Sequence, residues 1–148
     1  MKRKAIIVDL DSTLFDDRHR LHYIDQTIPK YDAYHYCMKL DEVNEPVKEF
    51  IEYQNRLGVK VIIVTARPET FRDDTIDQLR KHDIKCDLIY MRKRGDIRGS
   101  VFVKKDYIEE LLPHFEIKCA LEDKPEVIGL FQELKIPVLK IFMGDKDE

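Results

Sequence analysis

The chain has 148 residues, of which 43% are hydrophobic and 37% are charged, and its formal net charge at pH 7 is -3. A domain of this size buries roughly 70% of the surface that its unfolded chain exposes. The small net charge gives no general reason to expect binding to nucleic acid or a membrane, so any such binding must come from local patches. No stretch approaches the roughly 20 apolar residues of a membrane span, and the three separated cysteines favour reduced thiols. We therefore expect a cytoplasmic protein with no membrane partner.

Five short apolar runs predict the strands of a sheet, at 5–8, 59–64, 87–90, 117–121 and 137–142. Four segments with apolar residues at helical spacing lie between or beside them, at 46–57, 68–82, 104–112 and 125–134. Strands that alternate with helices indicate a parallel sheet covered on both faces. The sequence thus predicts an α/β protein with three layers (α/β/α) and a mainly parallel five-stranded sheet.

Residues 16–45 do not follow this alternation and are rich in aromatic and charged residues. We predict two short helices there, near 17–24 and 30–39, as a small helical insertion in a single domain that spans 1–148. The aromatic residues from Tyr23 to Tyr36 favour packing against the core, with stacking on nucleic acid bases as the alternative. Asp16 and Asp17 are interpreted as helix-capping acids. An insertion of this size makes a minimal cap and leaves a site open to bulky substrates.

Acidic, hydroxyl and basic side chains directly follow four of the predicted strands. In open α/β sheets, ligands bind outside the carboxyl ends of the strands. We therefore expect these side chains to meet at one edge of the sheet. They are Asp9 and Asp11 after the first strand, Thr65 and Arg67 after the second, Arg92 and Arg94 after the third, and Glu122 and Asp123 after the fourth.

These groups suit phosphoryl transfer. Clustered carboxylates repel one another unless a cation joins them, and Mg²⁺ prefers oxygen ligands. A hydroxyl and a lysine can hold phosphoryl oxygens. One carboxylate can attack phosphorus to give an aspartyl-phosphate that water then hydrolyses, while a second protonates the leaving oxygen and later deprotonates that water.

Four motifs occur in the order found in haloacid-dehalogenase-like (HAD) phosphatases, which the sequence resembles over nearly its whole length. DLDST at 9–13 looks like the DxDxT motif, and Thr65, Lys104 and Glu122-Asp123 look like the hydroxyl, lysine and acidic metal motifs. The resemblance implies a Rossmann-like HAD fold and a phosphatase that requires Mg²⁺.

The resemblance also implies a role for each motif residue. Asp9 is then the nucleophile and a metal ligand, and Asp11 is the acid–base group that offers its backbone carbonyl to Mg²⁺. Thr65 and Lys104 bind the phosphoryl group, and Glu122-Asp123 complete the metal site.

Three segments are similar to the phosphatase half of phage-type polynucleotide kinase-phosphatases, which remove 3′-phosphates from nucleic acid ends. They are TARPETFRDDT, MRKRGDIRGSVFVKKDYIEELLPHF and ALEDKPEV, within a match from about 5 to 142. This similarity implies that Arg67 binds substrate. It also favours substrate contact by the basic run that includes Arg92 and Arg98, for which a solvated charged face is the alternative. Arg18 is a further candidate, with helix-surface charge as its alternative.

The sequence departs from these families at three positions. Ser12 occupies the position where glycine is commonest, and Glu122 replaces a first aspartate of the metal motif. Ser100 replaces an acidic residue of the phosphatases that act on polynucleotide ends, so the role of that acidic residue cannot be assigned to Ser100. The sequence has no GxxxxGK[ST] loop and therefore contains no kinase half.

The leading hypothesis is a Mg²⁺-dependent 3′-phosphatase that acts on nucleic acid ends. The alternatives are a phosphatase for nucleotides or other small phosphomonoesters and, in a different class, a non-catalytic domain that binds phosphorylated ligands. Asp11 disfavours a dehalogenase, because that reaction needs no leaving-group acid at this position. A phosphotransferase remains open, the preference for 3′ or 5′ phosphates is not fixed, and no obligate protein partner can be inferred.

Overall fold

The apolar runs of the sequence form a five-stranded parallel sheet, in a computed structural model that describes residues 1–144. The strand order is β5-β4-β1-β6-β7, and β2 and β3 form a separate antiparallel pair. The strands are β1 (Arg3–Val8), β2 (Phe15–Asp16), β3 (Glu42–Val43), β4 (Lys60–Pro68), β5 (Leu88–Arg92), β6 (Phe115–Glu122) and β7 (Val138–Lys140). The helices are α1 (Tyr31–Tyr36), α2 (Glu45–Arg56), α3 (Arg72–Lys81), α4 (Ser100–Leu111) and α5 (Pro125–Glu133). The predicted three-layer α/β fold is confirmed.

Alternate side chains of the central strand β1 enter two different cores. Ile6 and Val8 pack in a cluster to which α2 and α3 contribute, whereas Ala5 and Ile7 pack in a cluster to which α4 and α5 contribute. This alternation follows from the two-residue period of a strand, and it buries β1 on both faces. Burial on both faces fixes the register of β1 and hence the position of the residues that follow Val8.

The insertion after β1 forms short helical segments. A 3-10 helix spans Arg18–Tyr23, and α1 is followed directly by a second 3-10 helix over Cys37–Leu40, close to the two short helices that the sequence predicts. The ribbon of β2 and β3 joins the two ends of the insertion, with Phe15 opposite Val43. Across residues 1–144, every helix is too short or too polar to cross a bilayer.

Two helix boundaries differ from the prediction. Pro68 ends strand β4 opposite Arg92 instead of starting a helix, and α3 begins at Arg72 after a 3-10 turn over Glu69–Phe71. The proline signal is ambiguous because its φ of -62° suits both a first helical turn and an extended residue with ψ 144°. Helix α4 begins at Ser100, so Lys104 lies in its second turn rather than at its start.

Candidate active site

The residues after β1 form a tight turn that fixes Asp9 and Asp11. The carbonyl of Leu10 accepts hydrogen bonds from the backbone N–H groups of three later residues, those at 13, 14 and 15. Ser12 has a φ of 61°, a left-handed conformation in which glycine is the least strained residue. The Ser12 hydroxyl donates to the buried carboxylate of Asp17, which gives this serine a local partner that glycine would lack.

Three carboxylates and one lysine meet at the ends of β1 and β6. Lys104 Nζ donates to Asp9 Oδ1 and to Glu122 Oε2, both at 2.8 Å, and all three side chains are almost fully buried. Oxygens of Asp9, Glu122 and Asp123 lie within 4.8 Å of one another. The Thr13 hydroxyl donates to Asp9 Oδ2 at 3.0 Å and lies 3.3 Å from Asp123 Oδ1. These contacts join the nucleophile motif, the lysine motif and the acidic motif in one cluster.

The electrostatics of this cluster suit a divalent cation. Burial alone would lower the pKa of Lys104, but Asp9 and Glu122 raise it above its usual value, so the lysine stays charged. Burial and the neighbouring Asp9 raise the pKa of Asp123 to about 9. A third negative charge beside Asp9 and Glu122 is thus unfavourable without a cation, a divalent cation would favour the ionised form of Asp123, and oxygen donors are what Mg²⁺ prefers. The donor set therefore fits Mg²⁺.

Glu122 also shapes its own loop. Its Oε1 accepts hydrogen bonds from the backbone N–H groups of Asp123 and Lys124, both at 3.2 Å, while its Oε2 accepts from Lys104. Both oxygens of Glu122 thus already have donors. Asp9 and Asp123 are the carboxylates of the cluster that contact each other through Thr13.

Two buried arginines hold the carboxylate of Asp11. Arg20 donates to Asp11 Oδ1 at 2.6 Å, and Arg67 donates to the same oxygen at 2.8 Å and from Nε to both oxygens at 3.2 Å. Arg67 donates further to Thr75 and Gln78, and its side chain is inaccessible to solvent. Burial would raise the pKa of Asp11, but the charges of Arg67 and Arg20 hold it well below its usual value. Arg67 therefore lies against Asp11 rather than in solvent-accessible space.

The insertion makes contacts with the site that the sequence did not predict. Arg20 bridges Asp11 to the buried carboxylate of Asp41, at 2.8 and 2.7 Å, and its guanidinium lies 4.2 Å from the ring centroid of Tyr34. Asp17 is the N-cap residue of the 3-10 helix, but its carboxylate accepts from the Tyr34 hydroxyl instead of from the helix backbone, whereas Asp16 accepts from the Arg18 backbone N–H at 3.0 Å. The sequence signal was only the nearness of these charged residues to the nucleophile motif.

The other substrate-binding candidates lie in neighbouring contacts. Arg92 donates to the carbonyls of Ala66, Asp96 and Arg98, and Arg98 pairs with the carboxylates of Asp96 and Asp106. Arg18 pairs with Asp16 and donates to the carbonyl of Met143 at 2.6 Å. Thr65 is buried at the end of β4, where its hydroxyl accepts a hydrogen bond from the Arg67 backbone N–H at 3.1 Å.

Comparison with known proteins agrees with this geometry. Residues 3–145 match the family model described as the polynucleotide kinase PNKP phosphatase domain, within the HAD group. A chain in a structure of the Pnkp1/Rnl/Hen1 complex superimposes with a TM-score of 0.81 and 29% identity, covering 97% of this chain and 47% of that one. The class C acid phosphatase from Bacillus anthracis superimposes with a TM-score of 0.72 and 17% identity, covering 98% of this chain and 69% of that one, a likeness of fold.

The fold and the site therefore define a phosphatase of the HAD superfamily. Within it, the chain belongs to the family of the PNKP phosphatase domain. It spans about half the length of the chain that it matches in the Pnkp1/Rnl/Hen1 complex.

Proposed function

We propose that this phosphatase is a Mg²⁺-dependent phosphomonoesterase that removes 3′-phosphates from nucleic acid ends through an aspartyl-phosphate on Asp9. The observation that carries the proposal is the buried cluster of Asp9, Lys104, Glu122 and Asp123 at the carboxyl edge of the sheet. Family membership with PNKP phosphatase domains supports the choice of a polynucleotide substrate.

In the first step, Asp9 attacks phosphorus and the bond to the leaving oxygen breaks. Lys104 already contacts the nucleophile, so its ammonium is in place to hold a phosphoryl oxygen beside Asp9. Thr65 is the second phosphoryl ligand of this proposal, since the register of Val8 opposite Ile63 puts the end of β4 beside the Asp9 turn. Mg²⁺ held by Asp9 and Asp123, with Glu122 and the Asp11 carbonyl nearby, would neutralise charge between a carboxylate and a phosphate dianion.

Asp11 serves both steps as the acid–base group in this proposal. It protonates the leaving oxygen and then deprotonates the water that hydrolyses the aspartyl-phosphate. Arg20 and Arg67 stabilise its anionic form, which suits the second step. The first step needs the protonated form of Asp11, which a displacement of its carboxylate from either guanidinium would favour. Because Arg67 is buried against Asp11, its proposed effect on the substrate is exerted through Asp11. Arg18, Arg92 and Arg98 each have partners within the protein, so their proposed contact with substrate is secondary to those contacts.

The test compares phosphate release from a 3′-phosphorylated oligonucleotide, a 5′-phosphorylated oligonucleotide and nucleoside monophosphates, each with Mg²⁺ and with EDTA. We expect Mg²⁺-dependent release that is fastest from the 3′-phosphorylated oligonucleotide. Asp9→Asn should abolish release and the acid-stable label from ³²P substrate, while Asp73→Asn on the exposed face of α3 should retain both. Faster turnover of the monophosphates would establish a nucleotidase, and no release from any substrate would leave a non-catalytic binding domain.

A further inference from the structure

The basic run after β5 divides into two kinds of residue. Arg92 and Arg98 both have partners within the protein: half-buried Arg92 donates to the carbonyls of Ala66, Asp96 and Arg98, and Arg98, although exposed, pairs with Asp96 and Asp106. Each guanidinium therefore has its hydrogen-bonding partners inside the protein. The remaining cations of the run, Lys93 and Arg94, are exposed and have no carboxylate partner in the part of the chain that the structure describes.

The contacts of Arg92 and Arg98 give the loop over 93–99 a defined shape. Asp96 accepts from the Arg98 side chain and from its backbone N–H at 3.1 Å, and its own N–H donates to the Lys93 carbonyl at 3.0 Å. Arg92 joins the loop to the Ala66 carbonyl, one residue after Thr65. Lys93 and Arg94 thus project from a loop whose backbone is held by hydrogen bonds, and Arg92 connects this loop to the end of β4. Preorganisation of this kind lowers the entropy lost on binding.

The position of the loop fits the strand that carries a terminal phosphate. Neighbouring strands are about 4.8 Å apart, so β5, two strands from β1, lies about 10 Å from the strand that ends at Asp9. At about 3.4 Å of rise per nucleotide in a helical strand, this corresponds to roughly three nucleotides. Unpaired cations just beyond the end of β5, at this sideways separation or more from Asp9, match the phosphodiesters upstream of a 3′-phosphate, whereas a mononucleotide has none to offer.

On the basis of the proposed function, we infer that Lys93 and Arg94 bind the phosphodiester backbone of the substrate strand about two to three nucleotides upstream of the reacting phosphate. They determine specificity for polynucleotides over small phosphomonoesters. The rest of the chain adds no general attraction for nucleic acid, because its formal net charge is -3. A local pair of free cations is therefore the feature that distinguishes the two substrate classes.

The experiment measures kcat/KM for single-stranded 3′-phosphorylated substrates of one to six nucleotides and for p-nitrophenyl phosphate. The wild type should gain in kcat/KM up to about four nucleotides and then level off. Lys93→Ala/Arg94→Ala should lose this gain, about tenfold on the tetranucleotide at low salt, with p-nitrophenyl phosphate unchanged. The slope of log kcat/KM against log salt should become shallower by about 1.4 for two lost contacts to a single strand.

The matched control is Arg3→Ala/Lys4→Ala, which removes the same two charges from exposed positions at the start of β1, the opposite edge of the sheet. It should keep the length dependence and the salt slope. A Lys93→Ala/Arg94→Ala variant that matches the wild type on the tetranucleotide, or a wild type without length dependence, overturns the inference but leaves the phosphatase. Binding of a 3′-phosphorylated hexanucleotide to Asp9→Asn, with and without the two substitutions, decides the inference even if the wild type releases no phosphate and the proposed function fails. Equal affinity and equal salt dependence of the two proteins then overturn it.

Discussion

Replacement of Lys104 by methionine tests the carboxylate cluster without relying on activity. Lys104 Nζ is the ammonium that lies 2.8 Å from both Asp9 and Glu122, and its side chain is only 3% exposed. Removing one partner of a buried ion pair costs about 3–5 kcal/mol, because the remaining charge is left uncompensated. For a chain of this length, about 1 kcal/mol corresponds to roughly 3 °C in Tm. We therefore expect Lys104→Met to melt about 10–15 °C below the wild type in EDTA.

Mg²⁺ should restore part of this loss. Without Lys104, the cluster holds three carboxylates and no ammonium, so a divalent cation relieves more repulsion than it does in the wild type. A cation at about one hundred times its Kd stabilises the folded state by roughly 2.7 kcal/mol. The assay is a set of thermal melts followed by circular dichroism, in EDTA and across a Mg²⁺ titration. We expect the rise in Tm on Mg²⁺ addition to be larger in the variant.

Lys105→Met is the matched control. Lys105 is the next residue of α4, is 49% exposed and lies 3.9 Å from Glu109, so its loss should change the free energy of unfolding by less than about 1 kcal/mol. The reasoning is refuted if Lys104→Met melts within a few degrees of Lys105→Met in EDTA. It is also refuted if Mg²⁺ stabilises both variants equally.

Three further outcomes follow from individual residues. Asp11→Asn should lower kcat on a 3′-phosphorylated oligonucleotide by about 10²–10⁴-fold. The loss should be much smaller on p-nitrophenyl phosphate, because its leaving group needs little protonation. Equal losses on the two substrates would exclude Asp11 as the acid. Burial lowers the pKa of His35 from 6.5 to about 4, so the folded state loses stability as pH falls from 6.5 to 4, by up to about 3 kcal/mol. Urea unfolding of His35→Gln should show a shallower decline over that range, and an unchanged decline would assign it to other groups. Ser12→Ala should lower the free energy of unfolding by about 2 kcal/mol, because the Asp17 carboxylate loses a hydrogen-bond donor. Ser12→Gly should lower it by less, because glycine adopts a positive φ without strain. Thermal melts of the two variants would contradict this if Ser12→Gly were the less stable.

The sequence was sufficient to predict the sheet and the cluster at its edge. Apolar runs buried on both faces mark parallel strands, and residues directly after such strands share one edge whatever the details of the helices. The sequence alone therefore predicts that Asp9, Glu122 and Asp123 lie close together. Lys104 needed the motif resemblance, because it lies in the second turn of α4 and not at a strand end.

The contacts of the arginines could not be predicted in the same way. Whether an arginine reaches solvent, a carbonyl or a carboxylate depends on side-chain partners that are distant in sequence, such as Asp41 for Arg20 and Gln78 for Arg67. The insertion has no regular spacing of apolar residues, so the sequence did not indicate which of its side chains are buried. Arg92 and Arg98 looked like substrate ligands for the same reason: a run of basic residues does not reveal which of them hold the loop.

The insertion stabilises the turn after β1. Tyr34 and Ser12 both donate to Asp17, and Arg20 connects Asp11 to Asp41. These contacts fix the turn after β1 from the side of the insertion, while Lys104, itself paired with Glu122, donates to Asp9 from α4. The insertion also reaches the end of β4, where Met38 Sδ lies 3.2 Å and Asp41 Oδ2 lies 4.0 Å from the guanidinium of Arg67. The inferred path of a substrate strand therefore runs on the other side of Asp9 from the insertion's contacts with Asp17, over the loop at 93–99 that Arg92 and Asp96 hold in shape.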